Sequence, residues 1–300
     1  MWRRRKLGRG VAAAGALLAV GLVLAWGQAA RALDPALDVS QYAHTAWKVR
    51  EGFSKGSITT IAQTPDGYLW LGTDFGLLRF DGVRNVPWEP PAGVHLPSTY
   101  VRSLVAARDG TLWIGTDKGL ASWKGGKLTP YPELDGKAVD ALLEDREGTL
   151  WVGLFTFSGG RLCAIRGGKA QCYGGDGSLA YAVFSLYEDS KGNLWAGTLT
   201  GVWRWKPGPP KFYPTRDAPN GVQALTESDN GALLVAAGSR IAQIVDGKVE
   251  AYPLPAIGRQ VAPIRLLRDR DGSLWIGTTG GELLHIHGGK TDVFAQSDGL

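Results

Sequence analysis

Methionine occurs once and cysteine twice in the 300 residues, against 43 glycines and 12 tryptophans. That balance speaks against a helical protein and for an all-β one with ample material for a core. Catalytic signatures are missing as well. There is no serine-nucleophile motif and no phosphate loop with the right flanks, and the acids sit in turns, where no catalytic pair can be assigned. A histidine-kinase phosphoacceptor and a nucleotide-binding segment are absent too. The sequence therefore assigns no catalytic residue and no cofactor within these residues.

A basic surface is also lacking once the N-terminus is set aside. Arg3, Arg4, Arg5, Lys6 and Arg9 precede an apolar run from Val11 to Trp26, and Ala30-Arg31-Ala32 offers small residues where a signal peptidase reads. Residues 1–32 are thus expected to be an export signal, with an uncleaved anchor as the alternative. Without them, 33 basic against 28 acidic residues becomes 27 against 28, and a formal charge of +5 becomes −1. No concentrated Lys/Arg surface remains to argue for nucleic acid. Residues 33–300 are expected to form the folded domain.

What is there is a repeat. The phrase Asp66-Gly67-Tyr68-Leu69-Trp70-Leu71-Gly72-Thr73 returns as Asp109-Gly110-Thr111-Leu112-Trp113-Ile114-Gly115-Thr116 and as Asp271-Gly272-Ser273-Leu274-Trp275-Ile276-Gly277-Thr278. Looser copies begin at Glu147, Lys191 and Asn230; the third has Leu154 in place of Thr, and the fifth has lost Trp and Gly-Thr. The tryptophan positions, with Leu234 in the fifth copy, step by 43, 38, 44, 39 and 41 residues. Such a period, with strand formers and Gly-rich turns, predicts propeller blades or a related array.

Each repeat reads as four strands, the last short and ending near an aromatic such as Tyr131, Tyr173, Tyr213, Tyr252 or Phe294. The tryptophans read as wedges between blades and the Asp residues as turn acceptors, because both recur with the fold. Six blades are complete by residue 296. Thr45–Phe53 matches 292–300, a segment that contains the end of the closing fourth strand and the residues after it. The match predicts a truncated ring of seven or more blades.

Cys163 and Cys172 flank Gly167-Gly168, a two-residue hairpin turn, and counting outward sets them opposite each other. They are expected to face at a non-hydrogen-bonded pair, about 4.5 Å apart at Cα. That predicts a cross-strand disulfide and an oxidising compartment.

With these motifs in view, residues from about 40 to 300 resemble the two-component regulator propeller repeats of extracytoplasmic sensor regions. Tyr42–Phe53, with Thr60-Ile61-Ala62-Gln63-Thr64-Pro65 before Asp66, is similar to the usual first repeat. The resemblance implies a periplasmic sensor on the bacterial inner membrane, with a histidine kinase or diguanylate cyclase output beyond residue 300. It also implies an immunoglobulin-like domain and a membrane helix there, and allows a homodimer. A secreted carbohydrate-active propeller enzyme is the reading from another class.

Ligand candidates come from the loops that gather on one propeller face. They are Asp74, Phe75, Asp117, Lys118, Thr200 and Thr279 between second and third strands, and His95, Tyr100, Tyr181 and Arg259 between blades. Phe155 and Phe157 lie in an enlarged loop of the third blade, where they suit stacking on a small molecule or oligosaccharide or packing on the adjacent blade. His285 and His287 share a strand face, as metal ligands could, but no third ligand is evident and no metal is assigned.

Overall fold

The structure is a computed structural model that describes residues 47, 53–157, 159–215, 218–254 and 261–298. The expected leader over 1–32 and the candidate Arg259 lie outside the described residues. Six four-stranded sheets follow one another, each an antiparallel meander in chain order, and together they make a six-bladed β-propeller.

Blade 1 holds β1 (Ile58–Gln63), β2 (Leu69–Thr73), β3 (Gly76–Phe80) and β4 (Asn85–Trp88). Blade 2 holds β5 (Val101–Ala106), β6 (Leu112–Thr116), β7 (Gly119–Lys124) and β8 (Lys127–Pro130). In blade 3 these become β9 (Ala138–Glu144), β10 (Leu150–Phe155), β11 (Arg161–Arg166) and β12 (Lys169–Tyr173). Blade 4 is β13 (Val183–Glu188), β14 (Leu194–Thr198), β15 (Gly201–Lys206) and β16 (Lys211–Pro214). Blade 5 runs through β17 (Val222–Glu227), β18 (Leu233–Ala237), β19 (Arg240–Val245) and β20 (Lys248–Ala251). Blade 6 has β21 (Pro263–Arg268), β22 (Leu274–Thr278), β23 (Leu283–His287) and β24 (Lys290–Phe294).

The repeated phrase makes the second strand of every blade, and its letters have separate tasks. The glycine of the first turn has positive φ in all six copies, at Gly67, Gly110, Gly148, Gly192, Gly231 and Gly272. Thr73, Thr116 and Thr198 each donate from Oγ1 at 2.9 Å to the carbonyl of the glycine three residues on, which closes the loop to the third strand. In the third copy Leu154 extends the strand instead, and Thr156 makes the equivalent bond to Gly159.

The glycine before that threonine is where blades meet. A Cβ on Gly72, Gly115 or Gly197 would come within 2.7 Å of Val101, Val139 or Val222, the first-strand valine of the next blade. On Gly153 it would stand 2.6 Å from the carbonyl of Val183. Gly277 differs: its nearest neighbour is Arg265 of its own blade, at 3.4 Å. Correspondingly, each first strand packs on the next from β1 to β21, whereas among the described residues β21 and β1 do not share that packing. Among the described residues, no neighbouring blade covers the far face of blade 6.

The core lies between blades. One cluster joins Trp70 and Leu77 of blade 1 to Val101, Ile114 and Leu128 of blade 2, and another joins Trp151 of blade 3 to Leu194 and Ala196 of blade 4. Leu234 fills the tryptophan place in blade 5 and packs with Leu274, Ile276 and Leu284 of blade 6. On the other side of blade 1, Trp47 and Phe53 both meet Phe80.

The first turns of blades 2 to 5 also reach the next blade. Arg108 donates to Glu144, Arg146 to Glu188, and Ser190 to Glu227, always from one blade to the next. Between blades 5 and 6 the signs are exchanged, and Asp229 pairs with Arg268.

The turn acids were expected to accept backbone N–H groups. Asp109 and Asp271 do so from Thr111 and Ser273. Blades 3 and 4 add residues that sequence reasoning missed. Buried Asp145 accepts from the Thr149 N–H and from Trp151 Nε1, and Asp189 does the same for Asn193 and Trp195. Lys206 of blade 4 closes a 2.8 Å ion pair on Asp145. The signal was an Asp two residues before the place that Glu147 and Lys191 fill in these copies.

Candidate functional site

The first strand of every blade carries a bulge at the same place. One residue is left over between the partners of the second strand, and in chain order these are Thr59, Arg102, Asp140, Phe184, Gln223 and Ile264. A bulged residue is released from the ladder, and its side chain is re-aimed. The six first strands are the innermost, so the bulges ring the centre of the propeller. Thr, Arg, Asp, Phe, Gln and Ile have nothing in common chemically, in contrast to the uniform second strands.

Blades 2 and 3 make the most structured part of this ring. Arg102 Nε donates to Asp140 Oδ1 at 2.6 Å, and its guanidinium lies 5.5 Å from the centre of the Tyr100 ring. The Asp140 side chain is only 7% exposed. Burial pushes its pKa above the usual carboxylate value, against the pull of Arg102. Its second oxygen, Oδ2, is buried without a hydrogen-bond partner. An orphan acceptor of this kind costs about 1–3 kcal/mol, so it calls for a donor.

The expected loop residues lie at the same end of the blades. The Asp117 N–H donates to the Tyr100 carbonyl at 3.1 Å and ties the second-to-third-strand loop of blade 2 to the entry of β5. Asp74 and Asp117 each keep one buried oxygen, Oδ1, without a partner, as Asp140 does. Exposed aromatics occur in the loops as well: Phe75 is 64% exposed, Tyr181 59% and Phe157 94%. Phe155 and Phe157 meet edge to face at 5.3 Å, and the Thr156 N–H donates to the Tyr181 carbonyl of the next blade. The enlarged loop therefore packs Phe155 inward and presents Phe157 to solvent.

The remaining candidates are more dispersed. Thr200 and Thr279 are exposed, one held by the Thr215 N–H and the other bonded to the Ala262 carbonyl. His95 and Lys118 are exposed. All six bulge residues, Asp140 included, were invisible in the sequence, because a bulge leaves the alternation of a strand nearly intact.

Two grooves lie elsewhere. One of about 480 Å³ runs along the rim between β16 and β20, lined by Phe212, Tyr213, Arg240 and Val249. Another of about 270 Å³ lies by the first turns of blades 4 and 5. Neither meets the expected loop residues. Cys163 and Cys172 are opposite each other in the β11–β12 register, with Cα atoms 4.0 Å apart and the sulfurs joined. No described helix is long and apolar enough to cross a membrane.

Comparison with known proteins comes from sequence families and from solved structures. Residues 52–75, 95–118, 177–200 and 260–280 match the family described as two component regulator propeller. No curated protein matches in sequence. The extracellular domain of a hybrid two-component system from B. thetaiotaomicron is similar in structure, with a TM-score of 0.66 and 19% identity. That match covers 81% of this chain and 35% of the other. The virginiamycin B lyase of Staphylococcus aureus has a TM-score of 0.65 and 17% identity, over 80% of this chain and 85% of the enzyme. A streptogramin B lyase scores 0.65 at 18% identity, over 79% and 82%. At such identities the likeness is one of fold.

Proposed function

We propose, from the premise that this chain carries two-component regulator propeller repeats, that it is the ligand-sensing input of a bacterial receptor. In this reading the propeller lies outside the cytoplasm, at the periplasmic face of the inner membrane. A histidine kinase encoded beyond residue 300 supplies the output, and residues 1–32 direct export. The joined cysteines support an oxidising compartment.

The observation that carries the sensing role is Asp140. A buried carboxylate oxygen without a donor, fixed by Arg102 next to exposed Tyr100, is a strained arrangement in a protein whose other acids are mostly satisfied. A hydroxyl-bearing ligand relieves it. Such a ligand donates to Asp140, Asp74 and Asp117, accepts from Arg102, and lays an apolar face on Tyr100 or Phe157. A small polyol or an oligosaccharide has these properties together.

The test is a panel of neutral and acidic oligosaccharides and small polyols, read by calorimetry on the purified protein. Binding that Asp140→Asn and Tyr100→Ala weaken at least about tenfold, an energy of about 1.4 kcal/mol, is the expected result. Binding that both variants leave intact would sink the assignment of the site. Turnover of the sugar would favour an enzyme over a sensor. The output is tested separately, by phosphotransfer from the full receptor with and without the ligand that binds; a diguanylate cyclase output would give cyclic dinucleotide instead.

A further inference from the structure

The outer half of blade 6 breaks the chemical pattern of the other blades. The residue of the third strand paired with the phrase tryptophan, or its Leu234 substitute, is Arg79, Ser122, Ala164, Arg204 and Gln243 in blades 1 to 5. In blade 6 it is His285. Two residues further on, blades 2, 3 and 4 carry Lys124, Arg166 and Lys206, each of which reaches an acid of a first turn. Blade 6 has His287 there. On the fourth strand, directly opposite His285, stands Asp292.

The three side chains share one sheet face and converge. Their donor atoms lie within 4.8 Å of one another. The imidazoles of His285 and His287 stack at 4.5 Å with planes 21° apart, and His287 Nε2 is 2.7 Å from Asp292 Oδ2. Trp275 lies flat on His285, with centroids 3.9 Å apart and planes at 14°. His285 is 4% exposed and held between two rings, while His287 and Asp292 remain partly open to solvent.

We infer that His285, His287 and Asp292 bind a divalent transition-metal ion of the zinc class. The inference does not depend on the sensing role proposed for the channel mouth. Two imidazoles and one carboxylate are a borderline donor set that suits zinc and disfavours calcium and magnesium, which take oxygen ligands. Metal–ligand bonds of about 2.0–2.2 Å put tetrahedral donors about 3.4 Å apart. On binding, the ion takes the place of the contact between His287 Nε2 and Asp292 Oδ2. Trp275 fixes the His285 ring, and a fourth position stays open toward solvent on the uncovered face of blade 6.

The sequence concealed this site for a simple reason. His285 and His287 are visible as a pair at spacing two, but Asp292 becomes a neighbour only through the hairpin register around Gly288-Gly289.

The experiment titrates the purified protein with zinc against a chelating dye, and with cobalt as a spectroscopic probe. The expected result is one equivalent bound, with visible cobalt bands of a four-coordinate ion. His287→Ala and Asp292→Asn lie at the partly exposed edge, so folding is checked by circular dichroism. Each should weaken binding at least about tenfold and abolish the cobalt bands. Glu250→Gln, on the exposed outer strand of blade 5 and outside the cluster, should change neither. Zinc left wholly with the dye, or bound equally by the folded variants, would overturn the inference.

Discussion

Trp47 meets Phe80 edge to face, with ring centroids 4.9 Å apart and planes at 75°. The aromatic that ends blade 1, Trp88, meets Trp123 of blade 2 at 5.1 Å and 76°. Phe80 and Trp123 occupy the same place in their third strands. Trp47 therefore stands on blade 1 as a fourth-strand aromatic stands on the blade that comes after it. Phe53 packs on Leu71, Leu78 and Phe80, the side of blade 1 turned away from blade 2, and Trp47 joins it at Phe80.

Removal of this cover should be costly in proportion to burial. Phe80→Ala is expected to lose about 3–5 kcal/mol of stability and Trp47→Ala, which is partly exposed, about 1–2 kcal/mol. Urea denaturation of the two variants and of the double variant checks this, since coupling between the residues should make the double loss smaller than the sum. Strict additivity would mean that the contact contributes nothing.

The glycines of the second strands provide a contrast between a covered and an uncovered face. Gly153→Ala forces a methyl group against the Val183 carbonyl, which a backbone cannot cheaply avoid, and should destabilise by about 1–3 kcal/mol. Gly277→Ala meets only its own Arg265 and should stay within about 0.5 kcal/mol of the parent. Thermal melts of both distinguish the faces. Equal losses would show that blade 6 is as tightly covered as the rest.

Asp145 predicts a specific response to acid. Burial alone would raise its pKa, but Lys206, Trp151 and the Thr149 N–H together hold it below the ordinary 3.8. A group depressed in the folded state contributes its full stability above pH 3.8 and loses it as pH falls through the folded value. Asp145→Asn leaves Lys206 only the more distant Glu147 and Glu188, at 3.9 and 4.0 Å, and should cost about 1–3 kcal/mol at pH 7. The gap between parent and variant should narrow below pH 3.8. A gap that stays constant down to about pH 2 would contradict the assignment.

The exchanged charges between blades 5 and 6 can be exchanged again. Arg268→Glu sets two acids against each other and should destabilise, while adding Asp229→Arg should restore most of the loss. Asp229 is largely exposed, so the coupling should be at most about 1 kcal/mol and fade in high salt. A double-mutant cycle at two salt concentrations measures it.

The blades were legible because each phrase states its own fold: Asp109 and Gly110 set a turn, Trp113 a wedge, Gly115 a close approach and Thr116 a loop clasp. The cysteine register was equally open to counting, since Gly167-Gly168 fixes the hairpin. The channel mouth was legible only in part. Asp74, Phe75, Tyr100 and Asp117 are given by loop position, but Arg102 and Asp140 are not. Their release from the ladder depends on one extra residue, and a strand sequence written with or without it looks much the same.

Those extra residues have a further consequence. A side chain in the ladder is bound by its partners above, below and across, so changing it disturbs the blade. Thr59, Arg102, Asp140, Phe184, Gln223 and Ile264 stand outside the ladder, one in each blade, although Thr59 Oγ1 still donates to the Gly72 and Val101 carbonyls. The propeller thus carries six variable characters in an otherwise fixed text, two of which, Arg102 and Asp140, are read as a pair, and new specificities can be written there with little change to the fold.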